Sequence, residues 1–214
     1  RIESGKPTNV SDSIETSSDN PAGIAAATTA PLYVLTAAEM GAVDKRSMTS
    51  YGTPTDQLME AAGAGTVESM VAEYGDLYGY RVAVICGRGH NGGDGLVVAR
   101  RLARLGAVVE VAVLAPLTEL EGVVAVNLRR LQAAGVQPVA RLDDEDIGTW
   151  LAASSWDYVI DAMLGTGSRG ELKGLYAAAA MAVVAARAEG ARVVAVDLPT
   201  GLEADTGQVG PIAV

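Results

Sequence analysis

The chain has 214 residues, 49% of them hydrophobic, a net charge of −10, one cysteine and one histidine. That length has room for one α/β domain with a substantial core, and the acidic balance argues against a broad basic surface for nucleic acid or anionic lipid. Cys86 alone excludes an intrachain disulfide and any multi-cysteine zinc site, and the longest apolar run, Leu175 to Ala186, is too short to span a bilayer.

Residues 1–31 are rich in Ser, Thr, Asn, Ala and Pro without periodicity, the composition of a flexible tail or linker. The first residue is not Met, which points to a processed or cut N-terminus. Glu3, Asp12, Glu15 and Asp19 set the segment apart from an acid-poor transit peptide. Thr36, with Glu39 at the capping-box position, starts a helix through Tyr51 that Gly52-Thr53-Pro54 ends. Thr55 or Asp56 caps a second helix to about Tyr74, in which the small residues Ala61 to Gly65 imply close approach to another backbone or to a ligand, with close helix packing the favoured reason.

A strand over Tyr80–Cys86 then meets Gly87-Arg88-Gly89-His90-Asn91-Gly92-Gly93-Asp94-Gly95, followed by helical spacing over Leu96–Leu105. A glycine-rich turn at a helix N-terminus lets backbone N–H groups approach an anion, and the helix dipole favours negative charge there. Gly87, Gly89 and Gly92 fit G-x-G-x-x-G, a weak signal by itself. The next strand, Ala107–Leu114, has no acid at its end to hold ribose hydroxyls, which disfavours an ordinary NAD dehydrogenase. Asn91 and Asp94 are also more than a phosphate cradle needs, since a carboxylate repels phosphate unless a cation or hydroxyl lies between.

A helix over Val123–Ala134 ends at Gly135, and no element is assigned from there to Asp157. A strand over Asp157–Asp161 leads into a second glycine-rich loop through Glu171. A helix over Tyr176–Ala188 leads to a strand over Arg192–Asp197 and a third loop, Leu198-Pro199-Thr200-Gly201. In an open parallel sheet, loops at the carboxyl ends of strands form the binding crevice, and these three carry Asn91 with Asp94, Asp161, and Asp197 with Thr200.

Several ordered motifs carry a resemblance. They are Leu35-Thr36-Ala37-Ala38-Glu39-Met40 with Asp44, Gln57 to Gly63, Gly89 to Gly95, Asp161 to Gly165 continuing to Glu171, and Val196 to Gly201 followed by Thr206-Gly207. The chain resembles the NAD(P)H-hydrate epimerase family, the N-terminal domain of bifunctional NAD(P)H-hydrate repair enzymes, with residues 32–214 as the epimerase-like domain. The resemblance implies a Rossmann-like three-layer α/β/α sandwich with a mostly parallel sheet. It implies an isomerase that interconverts the R and S forms of NADHX and NADPHX, with Asp197 as the acid–base group and Asp94 positioning the substrate.

By the same resemblance the substrate-binding residues are His90, Asn91, Gly92, Gly93, Asp94, Gly165, Thr166, Gly167, Ser168, Arg169, Gly170, Glu171 and Asp197. A potassium ion is implied at Asn91, Asp161 and Thr200. A homodimer, a fused or separate NAD(P)H-hydrate dehydratase and an intracellular location, cytoplasmic or organellar, are implied too. The family usually has Asn at His90 and Ser at Thr200. The chain stops at Val214, before the family's final strands, so the expectation is a cut chain or a copy lacking part of its sheet. The alternative reading is a noncatalytic scaffold or accessory subunit that keeps the epimerase fold.

Overall fold

The structure, a computed structural model, describes residues 35–214; the tail expected over residues 1–31 lies outside the described residues. Five strands pair in parallel: β1 (Arg81–Cys86), β2 (Val108–Val113), β3 (Val139–Ala140), β4 (Tyr158–Ala162) and β5 (Arg192–Ala195), in the spatial order β3-β2-β1-β4-β5. Six helices surround them: α1 (Ala37–Ser50), α2 (Thr55–Tyr74), α3 (His90–Arg104), α4 (Gly122–Ala133), α5 (Asp144–Ala152) and α6 (Gly174–Ala188).

The layers follow from the period of two along β1. Val82, Val84 and Cys86 pack with Met59, Met70, Leu96, Val97 and Leu131 on the face covered by α2, α3 and α4. Ala83 and Ile85 pack with Ile147, Trp150, Leu151 and Val183 on the face covered by α5 and α6. Both faces of the strand are therefore dry, which is why it reads as an unbroken apolar run. The expected three-layer α/β/α sandwich with a parallel sheet is what the chain adopts.

Across the first layer α3 is pinned to its neighbours by ions. Arg100, 4% exposed, donates to Asn127 on α4 at 3.2 Å and pairs with Glu60 on α2, which also accepts from Arg101 at 2.7 Å. Burial opposes ionisation of Glu60, but the two guanidinium groups overcome it and hold the carboxyl below its ordinary range. Removing Glu60 would leave the buried Arg100 charge without its carboxylate, the costly way to break such a pair.

Three boundaries and two whole elements differ from the sequence reading. Helix α3 begins at His90, not Leu96, so much of the expected turn is helical. Helix α6 begins at Gly174, ahead of Tyr176. Strand β5 ends at Ala195, so Asp197 lies beyond it. Between Gly135 and Asp157 the chain forms β3 and α5, both unassigned from sequence. The first has two residues; the second is capped by the Asp143 carboxylate, which accepts from the Asp146 amide at 2.7 Å.

Candidate active site

The strand order reverses between β1 and β4: the chain leaves β1 for α3 on one face and β4 for α6 on the other. At such a switch the two following loops diverge and leave a crevice. Here they start out touching. The Gly87 amide donates to the Ala162 carbonyl at 3.0 Å, and a Cβ on Gly87 would collide with the Met163 carbonyl oxygen. Gly89 then caps α3 without a side chain, and the first intrahelical bond runs from the Gly93 amide to the Gly89 carbonyl at 3.0 Å. The amides that open the helix have no intrahelical acceptor, and they sit at the positive end of its dipole.

Glycines inside the first turns of α3 are there for closeness. A side chain on Gly92 would run into the Gly87 carbonyl, one on Gly93 into Met59, and one on Gly95 into Ala162 and the Cys86 sulfur. Asn91, between them, is 9% exposed, and its Oδ1 and Nδ2 have no partner among the described residues. Facing it is Gly165, where a Cβ would lie 3.5 Å from the Asn91 Cβ and would strike the Asp197 carboxylate.

Asp161, at the carboxyl end of β4, is fully buried. Its Oδ1 accepts from the Thr200 hydroxyl at 2.7 Å and the Met163 amide at 3.2 Å, and its Oδ2 accepts from the Thr200 amide at 2.7 Å. The Thr200 hydroxyl in turn accepts from the Leu164 amide at 3.2 Å. Burial pushes the Asp161 carboxyl up, against the pull of its hydrogen bonds to Thr200 and Met163. A carboxylate offers about four lone-pair sites and a hydroxyl oxygen about two, so each keeps one free. Those two oxygens and the unpartnered Asn91 Oδ1 are hard donors, the set that suits an alkali or alkaline-earth cation. Among the described residues no group of three or more His, Cys, Asp and Glu is placed to hold a metal.

Asp197 is solvent-exposed at φ 67°, the left-handed region, and the Leu198 amide bonds back to the Val196 carbonyl at 2.9 Å across it. That is a three-residue turn with a positive φ, a rare and strained form that costs about 1–3 kcal/mol. The Thr166 amide holds the carboxylate at 2.7 Å. Asp94, half-buried on α3, has its pKa raised to about 7 by burial first and then by the charges of Asp197 and Asp44.

The Asp94 shift has a sign that can be tested. Between pH 4 and 7 the native state keeps a proton that the unfolded chain releases, so this group's stabilising contribution fades as pH rises through that window. Asp94→Asn should therefore be more stable than the parent at pH 8, with the gap closing near pH 4. A shift of about three units is about 4 kcal/mol, and partial exposure reduces it to about 2 kcal/mol. Urea unfolding at both pH values checks this; an equal difference at the two would remove Asp94 as the titrating group.

The second loop divides. Gly165 and Thr166 meet Asp197, whereas Ser168, Arg169, Gly170 and Glu171 line a separate cavity of about 240 Å³ with residues 201–203 and 208–211. Gly167 and His90 are exposed. A cavity of about 950 Å³ lies between α5 and α6, with seven alanines in its lining and none of the residues of the β1, β4 and β5 carboxyl ends. It brings together no acid–base pair, and the crevice at β1 and β4 does. The sequence reading missed the backbone amides of Met163 and Leu164, and it missed Asp205, whose only signal was a place beside Thr206-Gly207.

Residues 55–214 match the family described as YjeF-related protein N-terminus. The chain belongs to this family. A bifunctional NAD(P)H-hydrate repair enzyme of Moorella thermoacetica is 41% identical over 179 residues, covering 83% of this chain and 33% of that protein. An NAD(P)H-hydrate epimerase of Pirellula staleyi is 36% identical over 175 residues, covering 80% of this chain and 74% of that one. The crystal structure of the yeast protein ynu0 superposes with a TM-score of 0.74 at 25% identity, covering 86% of this chain and 77% of that one. The chain thus spans about 33% of the length of the bifunctional relative and most of the length of the epimerase. Within the YjeF-related fold, the start of α3, the loop after β4 and the turn after β5 are where this chain places Asn91, Asp94, Asp161, Asp197 and Thr200. No helix among the described residues is long and apolar enough to cross a membrane.

Proposed function

We propose that the chain epimerises the R and S forms of NAD(P)H hydrate, NADHX and NADPHX, at the hydrated C6 of the nicotinamide ring. The observation that carries this reading is the pair of carboxyls at the β1/β4 crevice, exposed Asp197 and half-buried Asp94, beside the open amides of α3. The names of the relatives support it.

The pyrophosphate lies at the N-terminus of α3, where His90, Asn91, Gly92 and Gly93 present backbone rather than side-chain charge. Gly165 and Thr166, beside Asp197, hold the nearer part of the dinucleotide, and Gly167 to Glu171, whose cavity is separate, take its farther part. The reacting carbon bears a hydroxyl next to a ring nitrogen whose lone pair can expel it. One proton from the carboxyl pair leaves with the hydroxyl as water, and the C6–O bond breaks to an iminium. Water then adds to the opposite face and returns one proton to the pair. No electrons are exchanged. Asp94, which holds a proton near neutral pH, suits donation; Asp197, at the mouth, suits exchange with water.

Asn91, Asp161 and Thr200 would hold a potassium ion, which when bound offsets the carboxylate charge around the pyrophosphate. The chain acts as a homodimer, which fits the exposed Met40, Val43 and Tyr51 of the α1 region, and works beside a dehydratase, fused or separate, inside the cell. The test is an assay of R-NADPHX conversion coupled to purified dehydratase, in potassium and in sodium buffer. Conversion above the spontaneous rate, higher in potassium, is expected. Cofactor binding without acceleration would replace this reading with a noncatalytic scaffold that keeps the fold.

A further inference from the structure

Asp205 ties α1 to the 165–171 loop across the turn in which it sits. Its Oδ1 accepts from the Ala37 amide, in the first turn of α1, at 2.7 Å, and its Oδ2 accepts from the Arg169 guanidinium at 2.9 Å. Arg169 donates with its other nitrogen to the Thr166 carbonyl at 3.3 Å and the Ser168 carbonyl at 3.2 Å. Thr166 donates its amide to Asp197 at 2.7 Å. One continuous chain of hydrogen bonds therefore runs from α1 through Asp205, Arg169 and Thr166 to the Asp197 carboxylate.

The anchorage matters because α1 has little else. It buries no residue, although its own capping box is complete, and its other recorded side-chain tie is the Thr55 hydroxyl to the Met48 sulfur at 3.1 Å. The 165–171 loop is similarly open: Gly167, Arg169, Gly170 and Glu171 are exposed. An exposed ion pair adds little to global stability. Its effect is on which arrangement these two weakly packed segments hold.

We propose that Asp205 is a positioning residue: by clamping the N-terminus of α1 and Arg169 together it fixes the 165–171 loop, and so sets the Thr166 amide against Asp197. This rests on the epimerase reading for its kinetic consequence but not for its structural one. The two acceptor oxygens have separate partners, so two substitutions separate them. Asp205→Asn keeps an acceptor for the Ala37 amide and loses the charge that Arg169 uses; Asp205→Ala loses both.

Amide hydrogen exchange on the full chain without substrate is the first measurement. In Asp205→Ala, peptides covering residues 37–50 and 165–171 should exchange about tenfold faster. In Asp205→Asn only the 165–171 peptide should. Peptides from β1 and α3 should be unchanged in both. In the coupled assay, both variants should raise KM about tenfold while kcat falls less than threefold. Combining Asp205→Ala with Arg169→Ala should cost no more than the worse single change, because the two act as one unit. Unchanged exchange in both segments overturns the clamp whatever the activity. Faster exchange with no effect on KM, in a parent that is active, overturns the positioning role. Faster exchange in a chain whose parent is inactive leaves the clamp standing and rejects the epimerase reading.

Discussion

Asp197→Asn is expected to lower epimerisation by about 10²–10⁴-fold while the dinucleotide still binds, the range that general acid–base groups contribute. The substitution is clean for three reasons visible in the turn. Asn is among the few residues that tolerate the left-handed region, so the φ of 67° need not change. The amide oxygen can still accept from the Thr166 amide, which now holds the carboxylate. The side chain is exposed, so no buried charge is left unpaired. What disappears is the capacity to take and return a proton at neutral pH. Asp197→Gly makes a useful companion: it relieves the strain of the turn, so it should unfold at higher urea concentration than the parent while losing activity to a similar degree. Turnover of Asp197→Asn within threefold of the parent would move the acid–base role to Asp94 alone.

Gly92→Ala is expected to destabilise the fold by about 3 kcal/mol or more, although helix propensity by itself favours alanine over glycine by about 1 kcal/mol. The sign is decided by the Gly87 carbonyl oxygen, a backbone atom that cannot rotate away from the new methyl. Relieving the collision means lifting α3 off the end of β1, and that disturbs the amides at its N-terminus. Gly65→Ala on α2 is the control. It is helical, with nothing within 4 Å of the added methyl, so it should stabilise by up to about 1 kcal/mol. Urea unfolding of the pair measures both. If the two substitutions shift stability in the same direction, close packing at the α3 terminus is not what its glycines provide.

These glycines also show how far the sequence could be read. The run Gly87 to Gly95 marked the binding loop, yet its glycines are poor helix formers and the helix was placed from Leu96, six residues past its observed start at His90. Local propensity lost to tertiary packing, since three of the glycines are what allow α3 to lie against β1, Met59 and Ala162. Ala61 to Gly65 correctly announced a close approach, but of its two glycines only Gly63 makes it, at 2.5 Å from Val97 for an added Cβ, while Gly65 faces open space. Spacing alone cannot tell those two apart.

Other misses have simpler causes. A two-residue strand such as β3 carries no period to detect. Helix α5 did carry a signal, Asp143 as cap and Ile147, Trp150 and Leu151 at helical spacing, within a segment otherwise crowded with acids. Asp197 read as the last residue of β5 because Arg192 to Val196 alternate smoothly into it; the break lies in its φ, which composition does not encode. The link from Asp161 to Thr200 follows from pairing β4 beside β5, whereas the bridge made by Asp205 spans 168 residues to Ala37 and leaves no local trace.

The pinning of α3 has a consequence for how this site can change over time. Its N-terminal end is fixed by close backbone contacts and its middle by the Arg100 network, so substitutions at either place disturb the packing of neighbouring elements. Past Gly165, which leaves no room for a Cβ beside Asp197, the stretch from Gly167 to Glu171 is largely exposed and is held by the Arg169–Asp205 tie rather than by close backbone packing. Under the proposed epimerase reading, substitutions that adjust a preference between NADHX and NADPHX should therefore be tolerated best in that stretch, and worst at the closely packed end of α3.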